Sequence, residues 1–132
     1  MPTYRHHSTA VTTEPIGIDG AYLVDYTGPL GAQSFDALRA GVVESCGDAT
    51  ALLIRVDRSL MVMGFVPPIP SGTYDNAQAP GAVVVRLDQF ELWSEYGRAL
   101  ARLGVIRAFF LDSELQRAQV WAQRHALLSL AG

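Results

Sequence analysis

The residues most able to do chemistry sit at the ends of apolar runs. Arg-x-Asp occurs twice, in Leu52-Leu53-Ile54-Arg55-Val56-Asp57 and in Val83-Val84-Val85-Arg86-Leu87-Asp88. A third run, Val105-Ile106-Arg107-Ala108-Phe109-Phe110, carries an arginine and leads to Asp112. Three guanidinium groups, Arg55, Arg86 and Arg107, could grip a carboxylate or phosphate through paired N–H donors. Three carboxylates, Asp57, Asp88 and Asp112, could hold a divalent cation if they converge at one sheet edge. Each set also has a plainer use. The arginines can pair with the aspartates along a sheet, and Asp88 and Asp112 suit the N-caps of helices. Met61, Met63 and Phe65 alternate and suit a flexible apolar pocket, or a core or dimer contact.

Composition removes other chemistries. The chain has 132 residues, 49% of them hydrophobic, which suits one domain, 1–132, with its own core. All ten basic residues are arginine, so lysine-dependent phosphate loops, Schiff bases and receiver-type sites are excluded. A net charge of −3 without clustered cations gives no footing for nucleic acid. The single cysteine, Cys46, can form neither an internal disulfide nor a multi-cysteine metal site, and reads as a small buried hydrophobe. No Gly-x-Ser-x-Gly elbow or phosphate-cradling glycine motif is present. His6 and His7 are adjacent and would point to opposite sides of a strand, which makes a poor metal pair. No stretch is long and apolar enough for a signal core or a membrane span, so a soluble, cytoplasmic protein with no membrane contact is expected. Only 17% of residues are charged, which favours a surface partly covered by association.

The elements that must position these residues follow from periodicity. Residues 7–13 and 21–26 alternate like an antiparallel hairpin, with 1–7 a flexible start. Phe35, Leu38, Val42 and Cys46 form the inner stripe of a helix over about 33–46. Strands are expected at 51–56, 82–87 and 105–110, and a short apolar element at 60–66. The Pro-rich stretch 67–80 forbids regular structure. Helices follow Asp88, with Phe90, Trp93, Gly97 and Leu100 on one stripe, and Asp112, with Leu115, Ala118, Trp121, Ala122 and His125 inside. His125 there suits a hydrogen-bonded, half-buried role.

Alternation along the strands separates two faces. One face is apolar throughout: Leu52, Ile54, Val56; Val83, Val85, Leu87; Ile106, Ala108, Phe110. The other mixes in Arg55, Arg86 and Arg107, together with Phe109. Strands covered by helices on both faces should be apolar throughout. The pattern therefore predicts a two-layer α/β sandwich: a mixed sheet of about five strands, order ββαββαβα, with three helices mainly on one face. The half-polar face stays open to a partner, a second copy or a ligand.

The element order resembles the STAS superfamily, in particular its SpoIIAA-like branch. The resemblance runs over roughly residues 8–128 and is carried by Gly81-Ala82-Val83-Val84-Val85, the Trp93-bearing helix, the aromatic strand Val105 to Phe110 with Leu111-Asp112, and the closing Ala118 with Trp121-Ala122. It implies a sheet with helices stacked on one side and a non-enzymatic regulatory or binding role. Classical members present an Asp-Ser-Ser/Thr-Gly segment whose hydroxyl a partner kinase phosphorylates. This chain has none; Asp57-Arg58-Ser59-Leu60 is the nearest phrase and lacks the glycine. The phosphoacceptor role is therefore transferred to no serine.

The expectation is a non-catalytic domain, without cofactor or metal, that acts through protein association, including a homodimer. Its contacts would be Arg55, Arg86, Arg107 and Phe109. The alternative is a carrier or sensor of a small apolar or anionic ligand held near Met61, Met63 and Phe65. A further alternative is metal-assisted chemistry at the aspartate rim.

Overall fold

A computed structural model describes residues 2–62 and 79–131 of the chain. Met63, Phe65 and the Pro-rich stretch up to residue 78 lie outside the described residues. The chain opens with β1 (Thr3–His6), β2 (Thr9–Pro15) and β3 (Ala21–Leu30). Next come α1 (Ala32–Cys46), β4 (Ala51–Arg55) and β5 (Ser59–Met61). It closes with β6 (Gly81–Val85), α2 (Phe90–Ala101), β7 (Arg107–Leu111) and α3 (Leu115–Ala131). Single 3-10 turns, Leu87–Gln89 and Asp112–Glu114, lead into α2 and α3.

The strands run in the order β1-β2-β3-β4-β6-β7. The first three are antiparallel neighbours; β4, β6 and β7 add in parallel. β3 is long enough to serve two partners. Its first half pairs with β4 from Ala21↔Ala51 to Asp25↔Arg55, and its end pairs with β5 from Gly28↔Ser59 to Leu30↔Met61. Between those partners Gly28 takes φ 85°, and a side chain there would strike the Ser8 carbonyl. Only glycine meets both demands without strain.

Residues 1–7, read as a flexible start, contain the edge strand β1. Tyr4 anchors it: its ring lies over Gly41 of α1, and its hydroxyl shares a 2.6 Å hydrogen bond with the Ser45 hydroxyl. A single aromatic anchor is too little alternation to mark a strand by pattern.

The two-layer expectation is corrected. α1 and α2 cover one face, where Val11, Val24, Tyr26, Leu52, Val83 and Val85 pack with Leu38, Val42, Cys46 and Trp93. α3 covers the other, where Leu53, Ala82 and Val84 meet Ala118 and Ala122, and Ala21 and Ala51 meet Ala126. The described residues form a three-layer α/β/α sandwich around a mixed sheet of seven strands. Its second coat escapes notice in the sequence because it is built from alanine. Ala118, Ala122 and Ala126 are fully buried at four-residue spacing, so one side of α3 lies flat against the sheet. The half-polar residues on that face, Arg55 and Asp57, lie at the strand end rather than in its middle.

Cys46 is the small buried hydrophobe expected, with no exposed surface. Burial, with Asp48 adding, pushes its thiol up to about 11 from an ordinary 9.0. Burial also holds the Tyr26 phenol above its ordinary range, with Tyr96 and Cys46 adding. Both groups keep in the native state a proton that the unfolded chain gives up sooner. The Cys46 contribution is therefore complete below about pH 9 and is lost as pH climbs toward 11, while that of Tyr26 begins to be lost only above its ordinary value of 10.0. Urea denaturation from pH 8 to 11 should show falling stability across that window, and Cys46→Ala should flatten its lower part.

Candidate functional site

The three arginines do not share a face. Register pairs Arg55 with Val84, and Val84 with Phe110, so these stand on the α3 side. Arg107 pairs with Gly81 and Phe109 with Val83, which puts both on the α1/α2 side. The register shifts the expected phase of β7 by one residue, and in a strand that inverts every side chain. Arg55 and Arg86 meet at the C-terminal rim of the sheet, whereas Arg107 lies at the opposite end beneath α2. Its Nη1 donates to the Ala79 carbonyl at 2.6 Å and the Ile106 carbonyl at 3.0 Å. Its stem crosses Gly81, and burial pulls its pKa down while nearby Tyr96 opposes that. Phe109 is half-buried against Gly97 of α2, where an added methyl would collide with its ring, and it meets Phe90 edge-on at 6.5 Å.

At the rim each cation is engaged. Arg55 donates twice to the Asp57 carboxylate, at 3.1 and 2.8 Å, and that bond holds its guanidinium above its usual value against the pull of burial. Arg58 reaches across to the buried Asp25. Arg86 Nη1 donates to the carbonyls of Asp57 and Ser59, and its Nε to Asp88 at 3.2 Å. These are the pairings of the plainer reading. Ser59, nearest in sequence to a phosphoacceptor phrase, is fully buried and donates its hydroxyl to the Val56 carbonyl at 2.6 Å.

The expected helix caps also shift. Asp88 and Asp112 do not cap; residues Gln89 and Glu114 do, accepting the backbone N–H of Arg86 at 2.9 Å and of Leu111 at 3.0 Å. Gln89 is buried, and its amide also donates to the carbonyls of Val56 and Ser59. It locks the β4–β5 turn to the start of α2. Gln89 makes the reach-back half of a capping box, but position 86 carries arginine and not Ser, Thr, Asp or Asn, so no sequence signature marks it. Among the described residues no group of three or more His, Cys, Asp or Glu is placed to hold a metal ion. No helix among them is long and apolar enough to cross a membrane.

With the rim internally paired, the less satisfied surface is the β7 edge of the sheet. Among the described residues β7 ends the strand order and pairs only with β6. The Gly81 N–H donates to the Ile106 carbonyl at 3.0 Å, and in a parallel ladder the bonding residues alternate. The N–H and C=O of Arg107 and Phe109 therefore point away from β6. The flanks are apolar: Leu87, Leu103 and Ile106 are exposed, and Phe90 is 41% exposed. On the α3 side an open groove of about 650 Å³ runs between Phe110 and the helix, lined by Arg117, Val120, Trp121, Arg124 and His125. His125 is the half-buried residue expected: its Nδ1 lies 2.9 Å from the Trp121 carbonyl and its ring stacks on Trp121 at 3.8 Å. Of the sequence-predicted apolar pocket, only Met61 is described; it is half-buried in β5 and packs against the α1/α2-side core.

A solved structure of an uncharacterized protein from the DUF3478 family of Shewanella loihica PV-4, described as having a SpoIIAA-like fold, superposes with a TM-score of 0.54. The alignment spans 92% of this chain and 98% of that one at 14% identity. The chain has a SpoIIAA-like fold. No family model and no curated protein matches it. The fold resemblance seen in the sequence is therefore present in three dimensions, and β7, the groove and the rim are features of this SpoIIAA-like chain's own residues.

Proposed function

We propose that this SpoIIAA-like domain is a non-catalytic association module, and that its β7 edge pairs with a second copy of itself. One contrast carries the reading: the two edges of the sheet are built differently. β1 is four residues long, with Thr3 and Arg5 exposed and His6 at its end, a polar edge of the kind that discourages pairing. β7 reads Arg-Ala-Phe-Phe-Leu, and its single charge is turned under α2, so nothing on that edge repels another strand.

The apolar flanks are arranged for self-pairing. Leu87 and Phe90 stand at the C-terminal end of the edge, and Leu103 and Ile106 at the N-terminal end. An antiparallel β7–β7 contact about a two-fold axis sets each end of one copy against the opposite end of the other, as an isologous interface requires. Edge pairing of this kind uses main-chain hydrogen bonds for affinity and flanking side chains for specificity.

Sedimentation equilibrium tests this reading. The wild-type chain should show a monomer–dimer equilibrium, and the double variant Leu87→Glu/Phe90→Glu should sediment as a monomer with unchanged far-ultraviolet circular dichroism. A monomeric wild-type chain at high concentration, or an unaffected dimer in the variant, would overturn it. Arg86 and Phe109, the contacts expected from the sequence, are unsuitable probes because Arg86 bonds the Asp57 and Ser59 carbonyls and Phe109 packs against Gly97, so changing either disturbs the fold.

A further inference from the structure

Separately from self-pairing, we infer that the groove between α3 and Phe110 is a binding site for a small organic anion with a flat apolar body, an aromatic carboxylate. Arg117, Trp121 and Arg124 stand at i, i+4 and i+7 and so share one stripe of α3. Val120 and His125 flank the stripe, and Phe110 supplies the opposite wall from β7. At about 650 Å³ the groove lies within the usual range for small-molecule sites.

The lining chooses the ligand class. It contains two guanidinium groups and no carboxylate, on a chain whose net charge is −3, so the groove is a local cationic exception. Arg117 is paired at 2.9 Å with Glu114 of the preceding turn. Arg124 is exposed and makes no ion pair or hydrogen bond with another described residue, which leaves its planar fork available for a carboxylate. Trp121, already stacked with His125 at 3.8 Å, and Phe110 provide aromatic surface for a flat ring. Inorganic phosphate would meet the arginine and leave those rings without a contact. A neutral hydrocarbon would meet the rings and leave the guanidinium without one.

The test is a titration of the ¹⁵N-labelled Leu87→Glu/Phe90→Glu chain with naphthalene-2-carboxylate, following the indole N–H signals of Trp121 and, as an internal control, buried Trp93. Use of this variant keeps the readout independent of whether the edge self-pairs. The expected result is a saturable shift of Trp121 alone, with a Kd at or below about 1 mM. Arg124→Glu should weaken it by roughly ten-fold, in line with loss of one charge-assisted contact. The neutral isostere naphthalene-2-methanol should bind more weakly by a similar factor, and phosphate should not compete. Absence of a saturable Trp121 shift, or binding indifferent to both Arg124→Glu and loss of the carboxylate, would overturn the assignment. Because Arg124 is exposed, its substitution does not threaten the fold.

Discussion

Replacing Asp57 by alanine is expected to cost about 3 kcal/mol of stability, the lower end for breaking a buried ion pair. Asp57 is 8% exposed and receives both donors of Arg55, whose side chain is 20% exposed. Removing the carboxylate strands a guanidinium in a place poor in water, with the Asp25 and Asp112 charges as its remaining compensation. Urea denaturation would report the loss as a lower midpoint at constant slope. The charge account makes a second demand. Arg55→Met combined with Asp57→Leu removes both charges and should recover most of the loss, whereas a simple packing defect would persist in the double variant. If Asp57→Ala were neutral, the rim would be a solvated surface and not a closed structural network.

Ala122→Leu is expected to destabilise the fold by about 3 kcal/mol through overpacking. Ala122 has no exposed surface and packs in the cluster of Leu53, Ala82, Val84 and Ala118. A leucine there must push α3 away from the sheet or distort the strands. Val120→Leu, at a groove position that is 44% exposed, should change stability little. Thermal unfolding of the pair separates the second helical layer from a helix that merely rests on the surface.

These two sites mark where the sequence could be read and where it could not. The elements were readable because long stripes of large apolar residues, such as Leu38, Val42 and Cys46, repeat at helical spacing, and because Val83 to Val85 form a fully buried strand. The SpoIIAA-like resemblance rested on that order and holds at the level of fold. The layering was not readable. Apolar periodicity weighs large side chains, and α3 contacts the sheet through alanines, which carry little of that signal. Arg55 then appeared to open a face that is in fact covered along its middle. The phase of β7 failed for a related reason: Arg107 looked like a solvent-facing residue, but its guanidinium is satisfied by the Ala79 and Ile106 carbonyls under α2. Local spacing cannot reveal carbonyl partners supplied from another segment. The groove has a signal in the sequence, the Arg117, Trp121, Arg124 stripe, but Trp121 serves both sides: it packs against the core as its inner position implies and also lines the groove.

The proposed self-pairing needs a β7 edge that no other described strand than β6 joins and that a second copy would cover, and amide hydrogen exchange at Phe109 measures that directly. Its N–H faces away from β6, so in dilute solution it should exchange rapidly while Phe110, bonded into the ladder, is protected. Raising the protein concentration through the association range should slow Phe109 exchange selectively, and Leu87→Glu/Phe90→Glu should abolish the slowing. Phe109 exchange that stays fast at every concentration, or is equally slow in dilute and concentrated samples, would contradict it.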